Sequence, residues 1–200
     1  MDKNPLVLLE MVERLGNLMR AEFRRIGGDE QLQPVHIHAL LYLYKANRYS
    51  NTPQALAAYL GITKGTASQS LLLLDRRGLI ERYEDDVDRR VVRLRLSSAG
   101  EQFLFEAQPA LQWQQATRNI SPNRIRNAVS ALRETLMTLQ EDKEGSQFGN
   151  CPGCEHFERL SARAHRCGLM GDRLSGPDTR RICWLYVPKG SGEDEDEAED

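Results

Sequence analysis

The first 150 residues of this 200-residue chain contain no cysteine, and all four cysteines, Cys151, Cys154, Cys167 and Cys183, lie in one short C-terminal stretch. That excludes a disulfide framework through the main body. Long hydrophobic runs are missing as well: the richest, the interrupted VHIHALLYLY, is too short to span a bilayer. The opening MDKNPLVLLEMVERLG lacks a basic start, a continuous apolar run and a small-residue cleavage site, so no secretory leader is expected. The expectation is a soluble, cytoplasmic protein without a membrane partner, and in that reducing compartment clustered cysteines point to metal ligation. Lys and Arg are absent from the terminal SGEDEDEAED, which holds seven of the 29 acidic residues. The formal net charge of −2 therefore hides a body with 27 basic against 22 acidic residues, a balance compatible with binding the DNA backbone. No nucleophile–base or carboxylate pair occurs at a meaningful spacing, and an enzyme is not expected.

The apolar positions that are present recur with helical spacing. Leu8, Val12, Leu15, Met19, Phe23 and Ile26 step by three and four, predicting a long amphipathic helix from Pro5 to Ile26 that Gly27-Gly28 ends. A second helix over Pro34–Ala46 is apolar almost all round, as a buried element should be. Its His36 and His38 point to different faces and make a poor chelate. Thr52-Pro53 and Thr63 read as helix starts and Gly61 and Gly78 as stops, giving two short helices joined by a tight turn, a helix-turn-helix. Leu79–Tyr83 and Arg90–Ser97 read as the strands of a hairpin, with Val92, Leu94 and Leu96 on its apolar face. Ser98-x-x-Glu101 predicts a capping box and a helix to about Arg118, kinked at Pro109. In a last helix from Ser121-Pro122, residues Ile125, Val129, Leu132, Leu136 and Leu139 form a coiled-coil-like seam that needs a partner helix. With the N-terminal helix this predicts a homodimer, with packing inside one chain as the alternative.

This order of elements resembles the MarR family of dimeric bacterial transcriptional regulators. The resemblance is carried by LAAYLGITKGTASQSLLLLDRRGLIERYEDDVDRRVVRLRLSSAG, with its LGIT turn, DRRGLIER, the wing tip D-x-DRR and L-S-x-x-G. It implies a mainly α fold: a winged helix-turn-helix with a two-stranded β wing and long dimerisation helices, over residues 1–145. The implied partner is a double-stranded DNA operator. In a helix-turn-helix the start of the second helix meets base edges, which points to Lys64, Thr66, Ser68 and Gln69, with Arg76 and Arg77 as phosphate contacts or ion-pair partners. Arg89 and Arg90 resemble the family's minor-groove arginines, with Asp88 orienting a neighbouring arginine. The family's small aromatic acid ligand does not carry over, because the cysteines lie outside its usual pattern.

The stretch 146–190 reads as a small module and 191–200 as a disordered, solvating tail. Cys151-Pro-Gly-Cys154 forms a knuckle that directs two thiolates to one centre. Twelve residues then separate Cys154 from Cys167 and fifteen separate Cys167 from Cys183, without the second C-x-x-C of a zinc ribbon. An iron–sulfur cluster of unspecified type on Cys151, Cys154, Cys167 and Cys183 is favoured, with structural zinc as the alternative. Phe157, Leu160, Leu169, Ile182, Trp184 and Tyr186 are expected to pack around the centre. His156 and His165 are candidates for a ligand or a hydrogen bond to sulfur. The functional expectation is a sequence-specific DNA-binding transcriptional regulator whose affinity the cluster controls through the linker after Lys143. Two alternatives are a zinc-bearing regulator with a small-molecule ligand and a thiol redox enzyme.

Overall fold

The computed structural model describes residues 5–28, 30–108, 111–141 and 147–189. The expected boundary near residue 145, the linker after Lys143 and the acidic tail fall largely or wholly outside the described residues. Helix α1 spans Pro5–Gly27 and α2 spans Pro34–Lys45. Helix α3, Pro53–Leu60, begins where the Thr52 side chain accepts from the Ala55 N–H, and α4, Lys64–Arg76, begins where Thr63 accepts from Thr66 N–H at 3.1 Å. Each cap satisfies a backbone donor that the first helical turn leaves open. Between α3 and α4, Gly61 takes φ 63°, a left-handed conformation that costs glycine little.

Strands β1 (Ile80–Glu84) and β2 (Val92–Leu96) pair antiparallel with Ile80 opposite Leu96 and Glu84 opposite Val92. The core is built from one face of each of these elements: Ile37, Leu40, Leu56, Leu71, Leu74, Ile80 and Leu94 are all fully buried. Ser70 is buried too, so the inward face of α4 is the one the sequence predicts. Val92 departs from the expected apolar strand face, since it is exposed at the end of the hairpin where the core no longer reaches.

Two helix predictions are corrected after the hairpin. Helix α5 spans Ser98–Ala107, but its cap is Ser97, whose Oγ accepts from Gly100 N–H at 3.0 Å; Ser98 is already helical. No helix continues through to Arg118 either. Gln108 closes α5 at φ 41°, and α6 covers Leu111–Thr117. A residue before proline is disfavoured in the right-handed helical region, which explains a stop in place of a kink. Helix α7 runs over Pro122–Glu141. Among the described residues its seam is left open, with Val129, Leu132, Leu136 and Leu139 all exposed, as are Leu6, Leu8, Leu9, Val12, Leu15 and Met19 of α1.

The cysteine module begins with a single 3-10 turn at Cys151–Gly153 and a sheet of β3 (Phe157–Arg159), β4 (His165–Cys167) and β5 (Arg173–Leu174), in that order and antiparallel. A four-residue helix α8, Gly176–Thr179, follows. The module does not stand apart from the winged helix. Ile182 forms a parallel bridge with Ala46, with Asn47 N–H donating to Ile182 O at 2.9 Å and Ile182 N–H to Lys45 O at 2.8 Å. Phe148, Ile182 and Trp184 pack against the winged-helix core, Phe148 with its ring edge-on to Tyr59 at 5.1 Å. The expected apolar shell around the cysteines is corrected accordingly. Ile182 and Trp184 serve the neighbouring core, Leu160 and Leu169 are half exposed, and the Tyr186 ring covers the backbone of Gly149.

Candidate DNA interface and cysteine centre

Burying Ala67, Ser70, Leu71 and Leu74 turns the opposite side of α4 outward, and the residues there are Lys64, Thr66, Ser68, Gln69 and Arg76. All five predicted α4 side chains therefore share one exposed surface, which continues into an open groove toward Gln33 and His36 at the start of α2. Gln69 presents an amide able to pair bidentately with adenine, and Lys64 a cation able to reach guanine or phosphate. Thr66 is less independent, since its hydroxyl lies 3.0 Å from Thr63 Oγ1 within the helix cap. Arg77 is held away from this role by Glu30, whose carbonyl accepts its Nη1 at 3.0 Å.

The wing is organised by a residue the sequence reading passed over. The Asp85 carboxylate accepts from the Val87 and Asp88 N–H groups at 3.0 Å each and from Arg93 Nε at 2.7 Å. The Asp88 N–H is the largest influence, followed by Arg93, and together with the Val87 N–H they hold the Asp85 pKa down to about 2. The signal was available in the spacing Asp85-x-Val87-Asp88, an Asx-type turn, but D-x-DRR drew attention to Asp88 instead. Asp88 does orient an arginine: its carboxylate grips Arg90 Nε and Nη2, both at 3.0 Å, and the Arg90 guanidinium leads the causes that lower the Asp88 pKa. Arg89 stands exposed at the tip with no hydrogen bond or ion pair among the described residues. The two predicted wing arginines are thus unequal, with Arg90 occupied by Asp88 and Arg89 available.

Cys151, Cys154, Cys167 and Cys183 line one cavity of about 20 Å³, together with Tyr49, His156, Phe157, Leu174 and Leu185. All four are free thiols, and three of them are buried. Burial pushes the Cys151 thiol up to about 12, with Cys183, Cys154 and Cys167 adding to the rise, because four thiols facing one another without a cation resist ionisation. Burial likewise raises Cys183, against a hydrogen bond from the Asn47 side chain. This donor set suits a thiolate-bound metal centre, which would reverse that penalty. The side chains do not stand as a closed metal site, however: among the described residues no group of three or more His, Cys, Asp or Glu is arranged to hold an ion. His156 borders the cavity, while the buried Nδ1 of half-buried His165 has no hydrogen-bond partner among the described residues. Among the described residues no helix is long and apolar enough to cross a membrane.

With this geometry in view, the chain can be set beside known proteins. A sequence profile of the MarR family matches residues 30–91. Over 71 residues the chain is 38% identical to the transcriptional repressor MprA of Escherichia coli K12, a segment that is 36% of this chain and 40% of that protein. The match thus spans about two fifths of the curated relative's length. The fold is shared with the transcriptional regulator BldR from Sulfolobus solfataricus, at TM-score 0.56 and 22% identity over 69% of this chain and 99% of that one. It is also shared with S. aureus MepR in its complex with DNA, at TM-score 0.54 and 22% identity over 68% and 99% of the two chains. The matched segment includes the capped helices α3 and α4, β1 and the wing turn, and it ends before β2 and before the first cysteine: residues 30–91 are the part of this chain that is similar to the MarR family.

Proposed function

We propose that this protein is a sequence-specific DNA-binding transcriptional regulator that works as a homodimer, with its DNA affinity set by an iron–sulfur cluster on Cys151, Cys154, Cys167 and Cys183. The observation that carries the DNA-binding reading is the single exposed face of α4, where Lys64, Thr66, Ser68, Gln69 and Arg76 lie together beside a wing that ends in Arg89. On this reading α4 enters the major groove and Arg89 meets the minor groove or its flanking phosphates. The homodimer is supported by the apolar stripes of α1 and α7, which a single chain leaves exposed. The cluster reading is supported by the convergence of four thiols on one cavity. Such a cluster, when bound, supplies a centre whose integrity responds to iron, oxygen or electron supply. A structural zinc ion is the second reading, favoured by the size of that cavity, about 20 Å³, which is room for one small body.

One preparation tests these readings. The full chain, purified anaerobically, is expected to show visible absorption with iron and sulfide, to sediment as a dimer, and to select one duplex from a random pool. Gln69→Ala should weaken binding to that duplex by about 1–3 kcal/mol and relax its sequence preference. Zinc without iron establishes the second metal reading. Loss of selectivity in the wild type, or unchanged binding by Gln69→Ala, removes the assigned reading face.

A further inference from the structure

The loop between α2 and α3, Ala46–Asn51, has two working sides. On one, Asn47 is almost fully buried, at 2% exposure, and its backbone N–H donates at 2.9 Å to the carbonyl of Ile182, the residue before Cys183. The Asn47 Oδ1 accepts from Tyr49 N–H at 3.0 Å and from Ser50 Oγ at 2.7 Å, which ties the residues of the loop to one another. Tyr49 forms a wall of the cysteine cavity, and its hydroxyl donates to Asp172 Oδ2 at 2.8 Å, in the residue whose carbonyl accepts from Cys167 N–H. Ser50 Oγ in turn accepts from the Trp184 N–H, one residue past Cys183.

The other side of the loop holds the wing. Arg93 Nη1 donates to Arg48 O at 2.8 Å and to Asn51 Oδ1 at 3.3 Å. Asn51 Nδ2 donates to the Tyr83 hydroxyl at 2.9 Å and to Leu94 O at 3.0 Å, while Asn51 O accepts from Leu94 N–H. The same Arg93 grips Asp85, and Asp85 fixes the turn that presents the wing tip. One loop of six residues therefore closes the cysteine cavity and anchors both strands of the hairpin.

We propose that Ala46–Asn51 is the coupling element of this protein: Tyr49 walls the cysteine centre, Asn47 and Ser50 hold the chain on either side of Cys183, Arg48 and Asn51 position the wing, and a change at the cysteines reaches DNA by shifting this loop. The inference rests on the regulator reading above and supplies its route, which runs through packed side chains and not through the linker after Lys143. Asn47 and Tyr49 are positioning residues, since they touch the thiols or their surround and leave DNA contact to the wing. Coupling between two sites requires an element that both sites bias, and this loop is bonded to each.

Hydrogen exchange of the full-length protein, prepared anaerobically and without DNA, tests the route directly. Cys183→Ser is expected to speed exchange at the wing amides of Val87, Asp88 and Val91 on the order of tenfold, within the usual range of coupling between sites. Tyr49→Phe should give a smaller change in the same amides, because only the bond to Asp172 is lost. In an Arg93→Gln background, where the wing is unhooked from the loop, Cys183→Ser should add nothing further at the wing. The proposal is overturned if Cys183→Ser leaves wing exchange unchanged while α2–α4 stay protected, or if its effect survives Arg93→Gln undiminished. Should Cys183→Ser unfold the winged helix, Tyr49→Phe decides alone, with unchanged wing exchange counting against the route. A wild-type protein that selects no DNA duplex removes the regulator reading instead, and the exchange result then stands by itself.

Discussion

In the winged helix, turns are closed by groups a few positions away. Thr52 caps Ala55, Thr63 caps Thr66, Gly61 ends α3, and Asp85 organises Val87 and Asp88. In the cysteine module the decisive bonds run to the far end of the chain: Trp184 N–H to Ser50 Oγ across 134 positions, Arg48 to the Arg173 carbonyl across 125, Tyr49 to Asp172 across 123. The first region carries its own instructions. The second takes its shape from the surface it docks on, with a sheet of two- and three-residue strands that buries little by itself. The two should therefore respond differently to damage.

The largest difference is expected from the core. Leu71 is fully buried at the centre of α4, and Leu71→Ala should lower the stability of the winged helix by about 2–5 kcal/mol, the usual cost of a large-to-small change at such a site. Denaturant unfolding followed by far-ultraviolet circular dichroism measures this. The comparison is sharpened by Cys151→Ser in parallel, which should alter the near-ultraviolet signal of Trp184 while leaving the helical midpoint close to wild type. Equal losses of helical stability from both substitutions would break it, because the module would then be part of the winged-helix core in energetic terms.

Legibility follows the same division. Caps and stops could be read because a threonine before proline, or a glycine that must take positive φ, acts within one turn of chain. The exceptions are instructive. Ser97 took the cap expected of Ser98 because its hydroxyl also reaches Gly78 O, tying the end of β2 to the end of α4, a contact no local pattern announces. The exposed residues of α4 were legible from their place at the start of the second helix of a helix-turn-helix, and Asp88 with a neighbouring arginine from the wing motif. The convergence of the cysteines was legible from their clustering. Their wall was not, since Tyr49 lies over 100 positions away and belongs to no recognisable ligand spacing.

A smaller effect probes the local side of the comparison. Thr63→Ala removes the acceptor for Thr66 N–H and should cost about 1 kcal/mol, the typical value for an N-cap, with no change in module signals. Thermal unfolding with Trp184 emission recorded alongside circular dichroism checks both halves of that statement. A shift of the Trp184 environment at temperatures where the helices remain intact would show that the cap acts beyond its own turn.

The smallest effect is expected from acid at the wing. Asp85 keeps its carboxylate ionised down to about pH 2 because the Asp88 N–H, the Arg93 guanidinium and the Val87 N–H all favour the charged form. A carboxyl whose pKa is lowered by folding stabilises the folded wing above its ordinary value near 3.8, and that contribution disappears as pH falls through about 2. With the Asp85 and Arg93 side chains 18% and 17% exposed, the loss should be small and largest at the wing itself. Amide NMR of Val87 and Asp88 between pH 5 and pH 1.5 should therefore show a titration with its midpoint near 2, absent in Asp85→Asn. A weaker titration of the Trp184 amide with the same midpoint is expected, because the loop Ala46–Asn51 transmits from wing to module as well as from module to wing, and its absence would count against that coupling. Reciprocity of that kind is what thermodynamic coupling through a shared element requires.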